Sequence, residues 1–259
     1  MDSPQVSIAV PVYNTAAFLP AALDSLLAQD HADWECLVWD DGSTDGSAEI
    51  AARYAARDPR FRLFGDGRNR GNPTALANAL AQARGGFLCV LDGDDLLEPR
   101  ALSTMLAHMR ANPGLGMAYS QYMEIAEDGQ VMGPGGRFRT PYSPERLLVE
   151  FMTFQFRLIR ADAYRAAGGY DPTIDESADY DLCLRLSEIC AIGHVPEMLF
   201  RYRIRRTSVS QSARLRQVRS SFDAAQRALK RRGMAADHQL SLGIRARHVL
   251  RPKPAQATP

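Results

Sequence analysis

Val6-Ser7-Ile8-Ala9-Val10-Pro11-Val12, followed directly by Tyr13-Asn14, sets the architecture of this chain. Its apolar and β-branched residues form a short unbroken run, which is typical of a strand buried on both faces. Helix and strand patterns then alternate as far as about residue 112. Repeated β-α units of this length predict an α/β fold, with a Rossmann-like, mainly parallel sheet covered by helices on both faces.

The same periodicities predict elements along the whole chain. In the first half we expect strands at 6–12, 34–39, 62–64 and 87–91 and helices at 16–29, 47–57, 74–83 and 99–112. In the second half we expect strands at 117–125, 151–159 and 195–204, helices at 160–167, 177–192 and about 212–232, and a Gly/Pro-rich loop at 133–144.

Polar clusters directly follow two of the predicted strands. Asp40-Asp41-Gly42-Ser43-Thr44-Asp45 comes after the strand at 34–39, and Asp92-Gly93-Asp94-Asp95 comes after the strand at 87–91. The carboxyl ends of parallel strands meet at one edge of an open sheet, where ligands bind. Carboxylates crowded at this edge repel each other, so we expect a positive group among them.

The chemistry of these side chains points to a nucleotide diphosphate. Asp40 or Asp41 can accept hydrogen bonds from a base N–H or a ribose hydroxyl. Asp92 and Asp94 can face one Mn²⁺ or Mg²⁺ that bridges phosphate oxygens. The alternative is a pair of ordinary turns, because Asp is common in turns. Two clusters that each follow a buried strand favour the ligand site.

Taken in order, these motifs closely resemble those of glycosyltransferase family 2. The resemblance covers about residues 5–210. It is carried by 6–14, 39–45 and 91–95, and then by Gly168-Gly169-Tyr170-Asp171, Asp179–Leu186, Tyr202-Arg203 and Ser208-Val209-Ser210. It implies a GT-A fold, a divalent metal (Mn²⁺ or Mg²⁺), and inverting transfer of a sugar from a nucleotide-diphosphate donor, with UDP the expected nucleotide and dTDP and GDP the alternatives.

The resemblance also implies a role for individual residues. The nucleotide site would consist of Pro11, Val12, Tyr13, Asn14, Asp40, Asp41, Asp92, Gly93 and Arg205. Asp92 and Asp94 would hold the metal, with Asp94 the more direct contact. Asp179 would be the general base that takes a proton from the acceptor hydroxyl. Asp181 points elsewhere on the same helix, and we expect it to be structural.

Departures from the family pattern leave a second function open. Ala178 stands where the family commonly has Glu before the base, and Glu176 lies nearby. Leu76-Ala77 replaces a frequent Arg-Asn pair, and Arg205, followed by Arg206, replaces a frequent His. Arginine can hold a diphosphate as a permanent cation, or it can be a solvated surface charge. Ala178 favours the alternative of a non-catalytic nucleotide-sugar or carbohydrate-binding protein of the same fold.

Two other enzyme classes lack their sequence signals. A dinucleotide oxidoreductase needs GxGxxG after the first strand, and a nucleotidyltransferase is expected to have a Gly-rich loop with a basic residue there. This chain has Val12-Tyr13-Asn14-Thr15 instead.

Charge divides the chain into an acidic body and a basic end. Residues 1–200 hold 16 Lys/Arg and 28 Asp/Glu, a net charge of −12, whereas residues 201–259 hold 15 and two, a net charge of +13. We expect a transferase domain over 1–210, with a nucleotide-sugar half to about 115 and an acceptor half over 116–210, and a basic helical extension over 211–259.

The acidic body argues against nucleic acid as a partner. We expect a nucleotide-sugar donor and a glycan or lipid-linked acceptor. The basic helix either contacts an anionic membrane through residues 212–232 or packs on the body. The sequence shows no apolar signal segment and no spanning run, so we expect a cytoplasmic protein that can work at the inner face of the membrane. The cysteines form no CxxC pair and are expected to be buried, reduced thiols.

Overall fold

The computed structural model describes residues 3–174, 176–205 and 214–243. The strands are β1 (Val6–Val12), β2 (Trp34–Asp40), β3 (Phe61–Gly65), β4 (Phe87–Val90), β5 (Leu96–Leu97), β6 (Leu115–Ile125), β7 (Val131–Pro134), β8 (Arg157–Arg160) and β9 (Ala191–Arg203). The helices are α1 (Leu19–Leu27), α2 (Ser47–Arg57), α3 (Asn72–Ala81), α4 (Ala101–Ala111), α5 (Ala161–Ala166), α6 (Ala178–Ile189) and α7 (Arg214–Arg231). Arg206 and the motif Ser208-Val209-Ser210 lie outside the described residues.

The first half of the chain forms the parallel part of the sheet. Strands β3, β2, β1 and β4 lie side by side in that order, and every pair among them is parallel. All seven residues of β1 are buried, as the unbroken apolar run predicted. Crossover helices join these strands, as parallel neighbours require.

The second half adds strands in both directions. β8 pairs antiparallel with β4 and with β6, β9 pairs parallel with β6, and the short β5 pairs antiparallel with β9. β7 pairs antiparallel with β6 at the margin of the sheet. The predicted α/β class is confirmed, with a sheet that is parallel in its first half and mixed beyond.

Helices cover both faces of this sheet. Val10 and Val38 face a core shared with α1, α2 and α4. Ala9 and Leu37 face a core shared with α3, α5, α6 and α7. In α7 the residues Ala224, Ala225, Ala228 and Leu229 are buried, whereas Leu215 is 74% exposed. The second half of the basic helix therefore packs on the body of the protein.

Several predicted boundaries were wrong. The strand expected at 151–159 begins only at Arg157, because Phe151 and Phe154 pack on Tyr180 and Tyr122 instead of pairing with a neighbouring strand. The helix expected to reach 192 ends at Ile189, because the following residues pair with β6. Two short strands were missed: β5, and β7, part of which falls inside the predicted loop at 133–144.

The expectation of buried thiols is met by three of the four cysteines. All four are free thiols, and Cys36, Cys89 and Cys183 are buried, whereas Cys190 is partly exposed. No helix among residues 3–174, 176–205 and 214–243 has both the length and the apolar composition needed to cross a bilayer.

A buried carboxylate links the parallel strands near their amino ends, at the edge of the sheet opposite the polar clusters. Glu35 of β2 is 2% exposed and accepts hydrogen bonds from Ser7 Oγ at 2.7 Å and Arg62 Nη1 at 2.8 Å. It also accepts them from the backbone N–H and the guanidinium of Arg84, which precedes β4. Burial alone would raise the pKa of Glu35, but these hydrogen bonds, from Arg84 first, lower it on balance.

We expect Glu35→Gln to lower the free energy of unfolding by about 1–3 kcal/mol near pH 7, because the partly exposed arginines lose a charged acceptor. A lowered folded pKa stabilises the protein above the unfolded pKa of about 4.3, and this stabilisation is lost as pH falls through the folded pKa. The difference in the free energy of unfolding between the wild type and the variant should therefore become smaller as the pH is lowered. Urea unfolding at several pH values measures it, with the exposed Glu197→Gln as control. A gap that widens in acid would contradict the assignment.

Candidate active site

The carboxyl ends of the parallel strands β1, β2 and β4 lie at one edge of the sheet. Val12 is in register with Asp40, and the N–H of Leu91 donates to the carbonyl of Ala9 at 3.0 Å. The strands β2 and β4 flank β1, so their tips lie about 10 Å apart, two strand spacings. The Asp40-Asp41 and Asp92-Asp94 clusters therefore occupy the same edge, as predicted.

The tip of β1 is tied to the loop after β2. Asn14 adopts a φ of 51°, its Oδ1 accepts the N–H of Thr44 at 2.8 Å, and its own N–H donates to Ser43 Oγ at 3.1 Å. Tyr13 is 49% exposed and can contact a ligand. Val12 is buried, and its carbonyl accepts the N–H of Asp41 at 2.8 Å. Its side chain belongs to the core, so only its backbone can shape a nucleotide site.

Asp41 organises the loop that precedes α3. One carboxylate oxygen accepts the N–H of Arg70 and the other that of Gly71, both at 2.9 Å. Gly42 makes this approach feasible: its φ is +79°, and a Cβ there would lie 2.9 Å from the carbonyl carbon of Arg68. Asp40 accepts a longer hydrogen bond, from Ser43 N–H at 3.3 Å. Asp40 therefore keeps more capacity to accept a ligand hydrogen bond than Asp41.

An arginine from the end of β9 pairs with the Asp-Gly-Asp cluster. Arg205 Nη1 lies 2.8 Å from Asp94 Oδ2, and both side chains are about four-fifths buried. The pairing of β5 with β9 brings the two together, because Leu96 and Leu97 follow the cluster directly and align with Arg201 and Phe200. Arg205 is thus a positive group among the strand-tip carboxylates.

Arg203 fixes the backbone of the same turn, a role that the sequence analysis missed. Its Nε donates to the carbonyl of Asp94 at 2.7 Å and its N–H to Asp95 Oδ1 at 2.7 Å. Its Nη1 donates to the carbonyl of Glu127 at 2.9 Å. Burial, and then the charges of Asp94 and Asp92, raise the pKa of Asp95. The Tyr202-Arg203 motif was the available signal.

Asp179, at the start of α6, lies close to the Asp-Gly-Asp cluster. Burial first, and then the negative charges of Asp94 and Asp179, raise the pKa of Asp92 to about 7, against an opposing contribution from Arg157. Arg157, which pairs with Asp179, is the first residue of β8, and because β8 runs antiparallel to β4 this end lies beside the carboxyl end of β4. Asp179 therefore lies near the strand tip that carries Asp92 and Asp94, although 85 positions separate Asp94 from Asp179 along the chain.

Arg157 of β8 forms an ion pair with Asp179. Its Nη1 lies 3.3 Å from Asp179 Oδ2, and the arginine is 8% exposed whereas the aspartate side chain is 32% exposed. Arg157 was not predicted from the sequence to belong to the site. The available signal was a charged residue inside the apolar run Phe156-Arg157-Leu158-Ile159, which becomes a buried strand.

The residues that flank Asp179 in the sequence are buried or bound by other side chains. Asp181 is buried and pairs with Arg185 at 2.7 Å, in keeping with the structural role expected for it. Ala178 is buried. Glu176 lies before α6, and its Oε1 accepts a hydrogen bond from Arg216 Nε of α7 at 3.0 Å.

A cavity of about 340 Å³ opens beside Asp179, which is within the size range of small-ligand sites. Its walls come from the segment before β8, from the start of α6, and from α7 with the residues after it. They include Arg137, Leu148, Val149, Phe151, Phe154, Glu176, Ser177, Asp179, Tyr180, Gln217, Val218, Ser221, Phe222, Ala225, Leu240, Ser241 and Leu242. The cavity lies on the Asp179 side of the site, away from the tip of β2.

The carboxylates fit a divalent cation that shares its ligands with a substrate. Asp92 and Asp94 supply hard oxygen donors, and the raised pKa of Asp92 reflects burial first and then neighbouring negative charge, both of which a bound cation would offset. In the part of the chain that the structure describes, no three His, Cys, Asp or Glu side chains are grouped to hold a metal. Mg²⁺ is commonly held by one or two carboxylates together with substrate phosphates.

Comparison with known proteins agrees with this geometry. Residues 7–168 match the family model described as Glycosyl transferase family 2. Chondroitin synthase of Escherichia coli is 32% identical over 197 residues, which are 76% of this chain and 28% of that protein. The chain therefore spans about a quarter of the length of this curated relative.

Solved structures share the fold. S. aureus TarS 1–349 in complex with UDP-GlcNAc has a TM-score of 0.70 and 19% identity, covering 83% of this chain and 64% of that one. Mannosyltransferase PcManGT from Pyrobaculum calidifontis, in complex with GDP-Man and Mn²⁺, has a TM-score of 0.63 and 18% identity, covering 93% and 77%. At these identities the likeness concerns the fold, and the predicted GT-A fold is confirmed.

Gly93 offers a steric test of the contact between the tips of β1 and β4. A Cβ at this position would lie 2.9 Å from Thr15 Oγ1 and 3.4 Å from the carbonyl oxygen of Pro11. We expect Gly93→Ala to lower the free energy of unfolding by about 1–3 kcal/mol through overpacking. Gly86→Ala is the matched control, because a Cβ there meets nothing within 4 Å. Urea unfolding of both variants measures the difference, and equal stabilities would show that the tips are not in contact.

Proposed function

The chain belongs to glycosyltransferase family 2, and from that premise we propose that it transfers a sugar from a nucleotide-diphosphate sugar to an acceptor hydroxyl, with inversion at the anomeric carbon. We propose a UDP-sugar as donor and a glycan or lipid-linked sugar as acceptor. The observation that carries the proposal is the pairing of Asp179 with Arg157, at the end of β8 that lies beside the carboxyl end of β4, whose tip carries Asp92 and Asp94. A general base would thus lie next to the group that holds the donor diphosphate.

The donor would bind across the tips of β1, β2 and β4. Tyr13, which is half exposed, would contact the base, and Asp40 would accept hydrogen bonds from base or ribose. Asp41 would act mainly by holding the Arg70-Gly71 backbone beside the site. The tight packing of Gly93 on β1 would keep the diphosphate-binding turn close to the nucleoside.

Asp92 and Asp94 would hold the divalent metal. A metal bound there would neutralise charge that develops on the departing diphosphate. Arg205 already pairs with Asp94 and would supply a second positive charge at this position. Guanidinium groups bind phosphate oxygens strongly and stay charged at every working pH.

The chemical step would then need one well-placed carboxylate. Asp179 would accept the proton of the acceptor hydroxyl, whose oxygen forms the new bond to the anomeric carbon. The bond from that carbon to the diphosphate oxygen breaks, and its electron pair leaves with the diphosphate. Arg157 would hold the Asp179 carboxylate in position. A direct displacement of this kind inverts the anomeric centre.

The comparisons support these assignments at the level of class. The relatives include a chondroitin synthase, and the similar folds were solved with UDP-GlcNAc or with GDP-Man and Mn²⁺. We propose that residues up to about 115 bind the donor and that residues 116–210 bind the acceptor. A non-catalytic sugar-binding protein stays the alternative, because Ala178 replaces the glutamate common in the family.

Asp179→Asn separates the two functions. In an enzyme, loss of the general base should lower kcat by at least about 100-fold, while the Kd for UDP with Mn²⁺ stays within about twofold. UDP release from UDP-sugars measures the first quantity and calorimetry the second, with the exposed Glu197→Gln as control. A wild-type protein that binds UDP-sugars but releases no UDP would support the binding module instead.

Thermal shift with UDP tests the donor and the metal together. A ligand that binds the native state raises the apparent Tm, so UDP should raise it with Mn²⁺ and much less with EDTA. Asp94→Asn should weaken the Mn²⁺-dependent affinity by about tenfold or more, whereas Asp128→Asn, in an exposed turn, should leave it unchanged. GDP and dTDP serve as comparators. An equal shift with and without Mn²⁺ would exclude the proposed metal role.

Membrane contact through residues 212–232 is a further proposal, now restricted to electrostatic contact. The apolar residues in the second half of α7 are buried in the body, whereas Arg219, Arg227 and Lys230 are exposed. Each basic residue near an anionic surface contributes about 1 kcal/mol, or about fivefold in affinity.

Flotation with phosphatidylserine vesicles measures this contact. We expect Arg219→Ala with Lys230→Ala to lower the bound fraction strongly, and high salt to abolish binding, since salt screens surface charge. Vesicles of neutral phosphatidylcholine are the control. Equal flotation on both vesicle types would contradict an electrostatic contact.

A further inference from the structure

We propose that α7 and residues 240–242 form one wall of the acceptor site, and that Phe222 and Glu176 select the acceptor by binding a pyranose ring. This inference rests on the proposed function, because it takes the cavity beside Asp179 as the place where the acceptor hydroxyl arrives. It assigns to the basic extension a role in substrate recognition.

The first support is the composition of the cavity wall. Asp179 lines the same cavity as Gln217, Ser221 and Phe222 of α7 and Leu240 and Leu242 after it. A substrate next to Asp179 would therefore touch residues of α7 and of the segment that follows it.

The second support is the aromatic lining. Phe151 packs against Tyr180 with ring centroids 4.9 Å apart and against Phe154 at 5.7 Å. Phe222 of α7 joins these rings in lining the cavity. The face of an aromatic ring carries partial negative charge, and a pyranose presents polarised C–H groups on one face of its ring. Aromatic walls with a few polar groups among them suit such a ligand.

The third support is an unsatisfied buried carboxylate. The Glu176 side chain is 6% exposed, and its Oε1 is bound by Arg216. Its Oε2 is buried and has no hydrogen-bond partner among the residues that the structure describes. A buried acceptor without a donor carries a desolvation cost that a ligand hydroxyl would remove. Glu176 therefore points to a hydroxyl-bearing ligand rather than to an alkyl chain.

Arg216 is a positioning residue in this arrangement. Its side chain is 73% exposed whereas that of Glu176 is 6% exposed, and the ion pair links Glu176 to α7. Loss of Arg216 should therefore change how Glu176 is presented to a ligand.

Ligand-observed NMR tests the cavity without any donor. The probes are methyl β-D-glucopyranoside, methyl β-D-galactopyranoside and the corresponding N-acetylglucosaminide, with 1-octanol as the alkyl comparator. We expect at least one glycoside to receive saturation transfer through its ring protons. Phe222→Ala and Glu176→Gln should each weaken that binding by about tenfold. Gln217→Ala, a milder change in the same wall, covers the case in which Phe222→Ala fails to fold.

Failure of this inference can be told apart from failure of the proposed function. If UDP binds with Mn²⁺ but no glycoside binds, or if 1-octanol binds in place of the glycosides, the acceptor wall is overturned and the donor site stands. If a glycoside binds in a Phe222-dependent manner and no UDP-sugar is consumed, the wall stands and the transferase proposal falls.

Kinetics with the bound glycoside test the positioning role. Arg216→Ala should raise the KM for the glycoside by several-fold at nearly constant kcat, and Arg216→Lys should restore most of the loss. Arg227→Ala, an exposed arginine on the same helix outside the cavity, is the matched control. Equal effects of Arg216→Ala and Arg227→Ala would overturn the role of Arg216.

Discussion

Arginine side chains from the second half of the chain allow acidic side chains to crowd the edge of the first half. Arg157 pairs with Asp179, Arg205 pairs with Asp94, and Arg203 binds both Asp95 and the backbone of Asp94. Without these cations the cluster would repel itself at close range. The cations arrive on β8 and β9, so the mixed half of the sheet is a requirement for the site that the parallel half presents.

Much of the fold could be predicted from the sequence because buried parallel strands leave a local signal. The run from Val6 to Val12 and the helix from Ser47 to Arg57 were predicted to the residue. The failures occurred where tertiary contacts outweighed local pattern. Residues 151–156 look like a strand but are held by aromatic packing, and β5 has two residues, too few to show any period. The pairing of β9 with β6 likewise ends α6 earlier than its helical pattern suggests.

The candidate site was predicted in part, and for a similar reason. Asp40, Asp92 and Asp94 follow strands directly, so the position of each strand tip gives the position of the carboxylate. The proximity of Asp179 came from resemblance, because no spacing rule links it to residues so far away in sequence. Arg157, Arg203 and the cavity walls depend on how β8, β9 and α7 fold back, which local patterns do not encode. Val12 shows a different error: the motif predicted a nucleotide-binding residue there, but its side chain is buried in the core.

The pairing of Arg205 with Asp94 has a consequence for the life of the protein before it meets a ligand. A carboxylate that already has a guanidinium neighbour is electrically balanced, so the loop around it can adopt its working shape during folding without help from solution ions. Any cation that approaches Asp94 must therefore share this carboxylate with the guanidinium or displace it, so the affinity of the turn for cations is set partly by an arginine more than a hundred positions away in the sequence.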